Sequence, residues 1–137
     1  MNKVIAIANQ KGGVGKTTTA VNLASSLSAT KRKVLLIDLD PQGNATMGSG
    51  INKQSCNLSV YHILTGKNST AEAIVHSDSG KYDVLPANRD LVAAEVELMK
   101  EIGRESRLKI ALNEVEENYD YIIIDCPPTL NMLTVNA

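Results

Sequence analysis

The residues most able to do chemistry lie together near the start of the chain, in the stretch Gln10-Lys11-Gly12-Gly13-Val14-Gly15-Lys16-Thr17-Thr18. Glycines let successive backbone N–H groups converge on one anion, and the positive end of a following helix adds to the attraction. In this pattern Lys16 would reach the β- and γ-phosphates of a nucleotide, Thr17 would bind Mg²⁺, and Thr18 would donate to the α-phosphate region. The stretch therefore predicts a phosphate-binding loop.

The segments on either side of this loop support the interpretation. Residues 3–8 are apolar on both faces, which predicts a buried parallel strand, and the amphipathic run over residues 18–28 predicts a helix. A glycine-rich turn that merely caps a helix is the alternative. Few structural turns, however, place Gly-Lys-Thr between an apolar strand and a helix.

Two aspartates follow a second apolar run, residues 34–37. Asp38 and Asp40 are two positions apart at the end of this predicted strand, so both carboxylates can face the crevice where open α/β sheets bind ligands. The alternative is a pair of turn-forming aspartates, which Pro41 and Gly43 would also suit. The residues alone leave both interpretations open.

A third acidic candidate, Asp125, ends the apolar run over residues 121–124. In a chain that already has a phosphate loop, an aspartate at such a strand end is expected to bind Mg²⁺ through water. The stiff pair Pro127-Pro128 suits a switch segment that senses the γ-phosphate.

Three motifs together resemble the ParA-type partition ATPases: K-G-G-x-G-K-T-T, V-L-L-I-D-x-D-P-Q-G-N-A-T and I-I-I-D-x-P-P. Gln10 departs from the ordinary phosphate-loop pattern, and the extra Lys11 makes the first motif the deviant Walker form. The resemblance implies that Lys11 reaches the partner's nucleotide in a nucleotide-sandwich dimer. It also implies that Asp40 positions the attacking water and that Asp38 supports Mg²⁺ through water. The implied nucleotide-binding residues are Lys11, Gly12, Gly13, Val14, Gly15, Lys16, Thr17 and Thr18.

The function implied by this resemblance is an ATP-dependent switch of chromosome or plasmid partition. ATP and Mg²⁺ would close a homodimer that binds DNA non-specifically, and slow hydrolysis, stimulated by a ParB-like protein, would release it. The implied location is cytoplasmic and nucleoid-associated, without a membrane partner. Two alternatives stay open: a MinD-like, membrane-associated ATPase that positions the division site, and a nucleotide-binding interaction module that does not hydrolyse ATP.

The composition fits a single soluble globular domain. The chain has 137 residues, 43% apolar and 21% charged, and its net charge of −1 gives no overall attraction to nucleic acid or to an anionic membrane. We find no signal peptide and no apolar run of membrane-spanning length. Cys56 and Cys126 form no CxxC pair, so neither a zinc site nor a disulfide framework is indicated.

Strands and helices are predicted to alternate along the chain. The predicted strands are residues 3–8, 34–37, 82–86 and 121–125. The predicted helices are residues 18–28, 58–64, 70–76, 88–102 and 108–115, with a mobile loop at 47–57. Alternation of this kind implies parallel strands joined by right-handed crossovers. The expected fold is a three-layer α/β/α P-loop domain with a mostly parallel sheet.

The resemblance also concerns the extent of the domain. Residues 1–137 correspond to the N-terminal portion of a single ATPase domain, which is therefore expected to be truncated at its C-terminus. The adenine-recognition residues and the DNA-binding surface should lie in the missing part, and the strand before the phosphate loop should have an open edge.

Three other polar features receive ordinary structural interpretations. We interpret Lys31-Arg32-Lys33 as a solvated helix end rather than a DNA patch, because cations favour helix C-termini. His62 and His76 have no partner at ligand spacing and are predicted to be ordinary helix residues.

Overall fold

A five-stranded sheet organises the fold in the computed structural model, which describes residues 3–7, 14–39, 43–51, 58, 60–64, 69–78, 80–87 and 107–125. The strands are β1 (Lys3–Ile7), β2 (Val34–Asp38), β3 (Val75–Ser77), β4 (Tyr82–Leu85) and β5 (Tyr121–Asp125). Their order in the sheet is β1-β5-β2-β4-β3. Every neighbouring pair is parallel except β3 and β4, which are antiparallel. The predicted α/β fold with a mostly parallel sheet is confirmed.

Within the described residues, five short or medium helices accompany the sheet. They are α1 (Val14–Ala29), α2 (Asn44–Gly48), α3 (Val60–Leu64), α4 (Thr70–Ala73) and α5 (Arg107–Leu112), and a 3₁₀ turn follows at Glu116–Asn118. The predicted helices over 18–28, 58–64 and 108–115 thus correspond to α1, α3 and α5. The predicted helix over 88–102 lies outside the described residues.

Side-chain alternation along the central strands divides the core into two layers. On one face, Leu36 and Ile123 pack with the small side chains Ala20 and Ala24 of α1, all four of them buried. On the other face, the alternate residues of β2 and β5 pack against α3, α4 and α5. Helices on both faces of the sheet give the expected three layers.

The helical stripe predicted for the first helix is the surface that packs on the sheet. Ala20 and Ala24 are fully buried, while Leu23 and Leu27 are partly buried against the same cluster. Alanines at the centre of this contact let the helix backbone approach the strands closely. Burial of this stripe fixes α1, and with it the end of the helix that follows the glycine loop.

The prediction of a helix over 70–76 is wrong in its second half. Helix α4 ends at Ala73, and Val75–Ser77 forms the antiparallel edge strand β3. The N–H and Oγ of Ser69 both donate to Glu72 Oε1, at 3.0 and 2.9 Å, which stabilises only one helical turn. His76 therefore lies in a strand and not in a helix. Its Nδ1 is 2.9 Å from Asp83 Oδ1, so the prediction that His76 has no carboxylate partner is also wrong.

The prediction of a mobile loop over 47–57 is wrong at its start. Met47 and Gly48 belong to α2, and Ser49 is buried, with its Oγ 2.6 Å from the hydroxyl of Tyr82. The prediction from Gly and Ser content was wrong here because residues 47–49 pack against α1 and β4. Residues 52–57 lie outside the described residues.

Strand β1 lies at one end of the strand order. It pairs with β5 on one side, and no other described strand pairs with it. Val4 of this strand is half exposed. Within the same described ranges, no helix has the length and apolar character needed to cross a membrane.

Candidate functional site

The carboxyl ends of three neighbouring strands meet in one row. Asp125 of β5 is in register with Ile7 of β1 on one side and with Asp38 of β2 on the other. Adjacent strands are separated by about 4.8 Å, so this pairing brings the two predicted aspartates side by side. The backbone N–H of Leu39 donates to the carbonyl of Asp125 at 2.9 Å and extends the pairing one step further.

Both aspartates lie on the α1 side of the sheet. Leu36 and Ile123, two positions earlier in their strands, pack in the cluster that includes α1, and residues two apart share a face. The side chains of Asp38 and Asp125 are fully buried. A pair of buried carboxylates at the carboxyl edge of a parallel sheet lies where ligands of open α/β sheets bind.

The predicted phosphate loop connects this row to α1. Strand β1 ends at Ile7 and α1 begins at Val14, which places Gly15 and the backbone of residues 16–18 at the start of the helix. The first N–H groups of a helix have no partner within it, and the helix dipole favours anions there. The predicted strand before the glycines and the predicted helix after them are confirmed, and residues 8–13 between them lie outside the described residues. Lys11, Gly12, Gly13 and Asp40 lie outside the described residues, as do the side chains of Lys16, Thr17 and Thr18.

A contact of Asp38 was missed by the sequence interpretation. The N–H and Oγ1 of Thr46 both donate to Asp38 Oδ2, at 2.9 and 2.7 Å, and Thr46 Oγ1 accepts the N–H of Ala87 at 3.0 Å. Thr46 and Ala87 are fully buried. One threonine therefore joins the ends of β2 and β4 to α2. In the sequence, this contact was indicated only by Thr46 itself, the last residue of the motif D-x-D-P-Q-G-N-A-T.

This contact joins two described residues on either side of Asp40 in the sequence. The Asp38–Thr46 hydrogen bonds join the described residues on either side of positions 40–42, and Gly43 before α2 has a φ of 69°, a left-handed conformation that glycine adopts without strain. Met47 N–H donates to the Gly43 carbonyl at 3.0 Å. The hydrogen bonds between Asp38 and Thr46 thus connect the described parts of the chain that flank the predicted water-orienting Asp40 in the sequence.

The donor set suits a hard divalent cation. Carboxylates bind Mg²⁺ directly or through its water ligands, and Asp38 and Asp125 supply two of them next to a helix N-terminus suited to phosphate. When bound, Mg²⁺ would neutralise charge on the phosphate oxygens. The described residues alone contain no group of three or more His, Cys, Asp or Glu side chains that could hold a metal ion.

Comparison with known proteins agrees with this geometry. The AAA_31 family, described as an AAA domain, matches residues 2–137. The chain is 54% identical to the sporulation initiation inhibitor protein Soj of Bacillus subtilis and 48% identical to the chromosome partitioning protein ParA of Myxococcus xanthus. Both matches cover the whole chain, but only 54% of Soj and 48% of ParA. The chain therefore spans about half the length of these proteins.

A solved structure has the same fold. The cobyrinic acid a,c-diamide synthase of Mycobacterium smegmatis, with bound ADP and magnesium, superposes with a TM-score of 0.96 at 45% identity. The match covers 99% of this chain and 55% of that protein. A second structure of the same protein holds an ATP analogue and magnesium. ATP and Mg²⁺, the cofactors predicted from the sequence, thus agree with the ligands of this neighbour.

The resemblance drawn from the three motifs is therefore confirmed. The motifs, the register of the two aspartates and the family match converge on one assignment. The chain belongs to the AAA_31 family and corresponds to the N-terminal portion of a ParA/MinD-type P-loop protein.

Proposed function

We propose that the protein is a Mg²⁺-dependent ATPase that acts as a switch in the partition of chromosomal or plasmid DNA. ATP closes a homodimer, the dimer binds DNA non-specifically, and hydrolysis stimulated by a ParB-like protein releases the DNA. The activity would be cytoplasmic and associated with the nucleoid. Partition relatives that match over the whole length of the chain support this proposal.

The observation that carries the proposal is the row formed by Ile7, Asp125 and Asp38. It joins the end of the phosphate-loop strand to two buried carboxylates on the face where α1 begins. Phosphoryl transfer asks the protein mainly to orient the nucleophile and to neutralise charge. Lysines, carboxylates and a helix N-terminus are sufficient parts for that task.

Each residue in the proposed site has a distinct task. Lys16 and the backbone N–H groups at the start of α1 hold the phosphates, and Thr17 and Asp125 support the metal. Asp40 orients the attacking water, while Asp38 holds the Asp40 loop through Thr46 and supports the metal through water. Lys11 contacts the nucleotide of the partner subunit.

Replacing the water-orienting carboxylate separates binding from turnover. We expect Asp40→Ala to bind a slowly hydrolysed ATP analogue within about threefold of the parent and to lose about 100-fold or more of the ATPase rate, the scale of a positioned catalytic group. Phosphate release and equilibrium binding measure the two effects. Asp78→Ala, a change at an exposed aspartate in the β3–β4 turn, is the matched control. Equal turnover in Asp40→Ala and the parent would refute the assignment of Asp40.

The proposed role of Lys11 predicts a defect that depends on the dimer. We expect Lys11→Ala to bind nucleotide and to lose turnover by on the order of 10³-fold, as when an arginine finger supplied in trans is removed. Sedimentation of the full-length protein with Mg²⁺ and the analogue should show a monomer for this variant and a dimer for the parent. Normal turnover in Lys11→Ala would rule out a role in trans.

A second candidate function comes from the solved neighbour with a TM-score of 0.96, which is named as a diamide synthase. The corresponding activity of this chain would be an ATP-dependent conversion of carboxylic acid groups to amides. Turnover that depends on a corrinoid carboxylate and an ammonia donor, and that DNA leaves unchanged, would favour the synthase. Turnover stimulated by DNA and a ParB-like protein favours partition.

A further inference from the structure

A basic groove lies at the opposite edge of the sheet from the aspartate row. Its wall includes Val34, Tyr82 and Tyr119. Val34 and Tyr82 are the first residues of β2 and β4, and Tyr119 lies two positions before β5. Because these strands are parallel, their first residues mark the amino edge of the sheet. The groove has a volume of about 490 Å³, in the range of a small-ligand site.

Three cationic side chains from two separate segments line this groove. Arg32 and Lys33 come from the connection between α1 and β2, and Lys81 comes from the turn between β3 and β4. All three residues are exposed. Within the part of the chain that the structure describes, none of them forms an ion pair. Their charges are therefore available to an anion from solution.

The carboxylate in the groove wall has its own partners. Asp83 Oδ2 accepts the hydroxyl of Tyr119 at 2.7 Å, and Asp83 Oδ1 lies 2.9 Å from His76 Nδ1. Burial, together with the neighbouring Asp83, raises the pKa of Tyr119, so this hydroxyl stays protonated and continues to donate. Asp83 thus already has hydrogen-bond partners within the groove wall. The side chains of the three basic residues carry only hydrogen-bond donors.

Backbone hydrogen bonds fix the turn that presents Lys81. The N–H of Lys81 donates to the carbonyl of Ser77 at 2.8 Å, and the N–H of Gly80 donates to Ser77 Oγ at 3.1 Å. Ser28 Oγ, near the end of α1, donates to the carbonyl of Lys81. This last bond connects the turn that contains Lys81 to the helix that precedes Arg32. The distance between Arg32 and Lys81 is therefore constrained.

We propose that this basic groove is a second anion site that binds phosphate groups, separate from the nucleotide site at the other edge of the sheet. The guanidinium of Arg32 can bind two phosphate oxygens at once, and the two lysines add point charges. Three cations match a phosphodiester backbone or a small polyphosphate better than a single carboxylate. The phosphates could come from duplex DNA, which rests on the proposed function, or from a free phosphorylated compound, which does not.

Lys31 and Lys81 provide a matched pair for testing the groove. Both are exposed lysines with a φ of 64°, but Lys81 lines the groove and Lys31 does not. Changes of either residue to glutamine keep the side-chain length and the backbone strain similar while removing one charge. The test compares the double variant Arg32→Gln/Lys81→Gln with Lys31→Gln in the full-length protein.

The experiment titrates two probes in the presence of Mg²⁺ and a saturating, slowly hydrolysed ATP analogue, which keeps the phosphate loop occupied. The probes are a labelled 20-base-pair duplex, followed by anisotropy, and inorganic pyrophosphate, followed by calorimetry. For at least one probe, we expect the double variant to bind about tenfold or more weakly and Lys31→Gln to bind within about twofold of the parent. If DNA is the ligand, the slope of log K against log salt should fall by about 2, one for each lost phosphate contact.

The outcomes distinguish the two sources and the two proposals. Weakened binding of DNA alone assigns the groove to a phosphodiester backbone, and weakened binding of pyrophosphate alone assigns it to a free phosphorylated compound. The groove proposal is overturned if the double variant binds both probes as the parent does, if Lys31→Gln weakens binding equally, or if the parent binds neither probe. Failure of the partition proposal would appear instead as ATP turnover that DNA and a ParB-like protein leave unchanged, and the pyrophosphate titration would still report on the groove.

Discussion

Lys16→Ala is expected to weaken the binding of ATP by about 100-fold or more, which corresponds to about 2.7 kcal/mol of binding free energy. The reason is the loss of the ammonium that, in the proposed site, faces the β- and γ-phosphates at the start of α1. Backbone N–H groups would remain, but they neutralise no net charge. Equilibrium binding of a fluorescent ATP analogue with Mg²⁺ measures the effect, and ATP turnover should fall with the bound fraction.

A lysine near the other end of α1 supplies the control for this experiment. Lys31→Gln removes one positive charge from an exposed position two residues after the helix ends, so the net charge changes by the same amount. We expect this variant to bind ATP as the parent does. If Lys16→Ala retained parental affinity, or if Lys31→Gln lost as much, the loop would not be the phosphate-binding element.

Thr46→Val is expected to lower the free energy of unfolding by about 3 kcal/mol. The change removes a buried hydroxyl that donates to Asp38 at 2.7 Å and accepts the N–H of Ala87 at 3.0 Å. It leaves one buried N–H without this acceptor and one buried carboxylate with a donor fewer. A buried neutral group that loses its partner costs about 1–3 kcal/mol, and a charged group costs more. Urea unfolding of the full-length protein measures the loss.

Two further threonine variants separate the lost hydrogen bonds from the change in shape. Thr46→Ser keeps the hydroxyl and should recover most of the stability, while Thr30→Val makes the same chemical change at an exposed threonine and should cost less than about 1 kcal/mol. Because Thr46 binds Asp38 and so joins the residues on either side of the proposed water-orienting Asp40, Thr46→Val should also slow ATP turnover more than it weakens ATP binding. Parental stability in Thr46→Val would contradict the role given to this contact.

The parts of the fold that the sequence predicted best are those governed by local pattern. Apolar runs predicted the central strands β2 and β5, and the stripe through Ala20 and Ala24 predicted the buried face of α1. The order strand, glycine loop and helix followed from residue types with a specific backbone requirement. In each of these cases the pattern extends over several residues and has one consistent physical explanation.

The missed features depend on contacts between distant parts of the chain. Strand β3 has only three residues and exists because Val75–Ser77 pairs with β4, whereas its sequence reads equally well as the end of a helix. The Asp38–Thr46 contact joins residues eight positions apart around a glycine with positive φ. The basic groove joins Arg32 to Lys81 across two turns. None of these pairings has a local signature, and so Lys31-Arg32-Lys33 was interpreted only as a solvated helix end.

The measurement that tests the central claim most directly is a crystal structure of the full-length protein with an ATP analogue and Mn²⁺ in place of Mg²⁺. Anomalous scattering locates the Mn²⁺ ion independently of the rest of the map. We predict a peak within about 5 Å of the Asp125 carboxylate, the reach of a ligand that acts through one water, with the phosphates at the start of α1. A nucleotide and Mn²⁺ bound elsewhere, for example in the basic groove at the opposite edge, would contradict the assignment of the aspartate row.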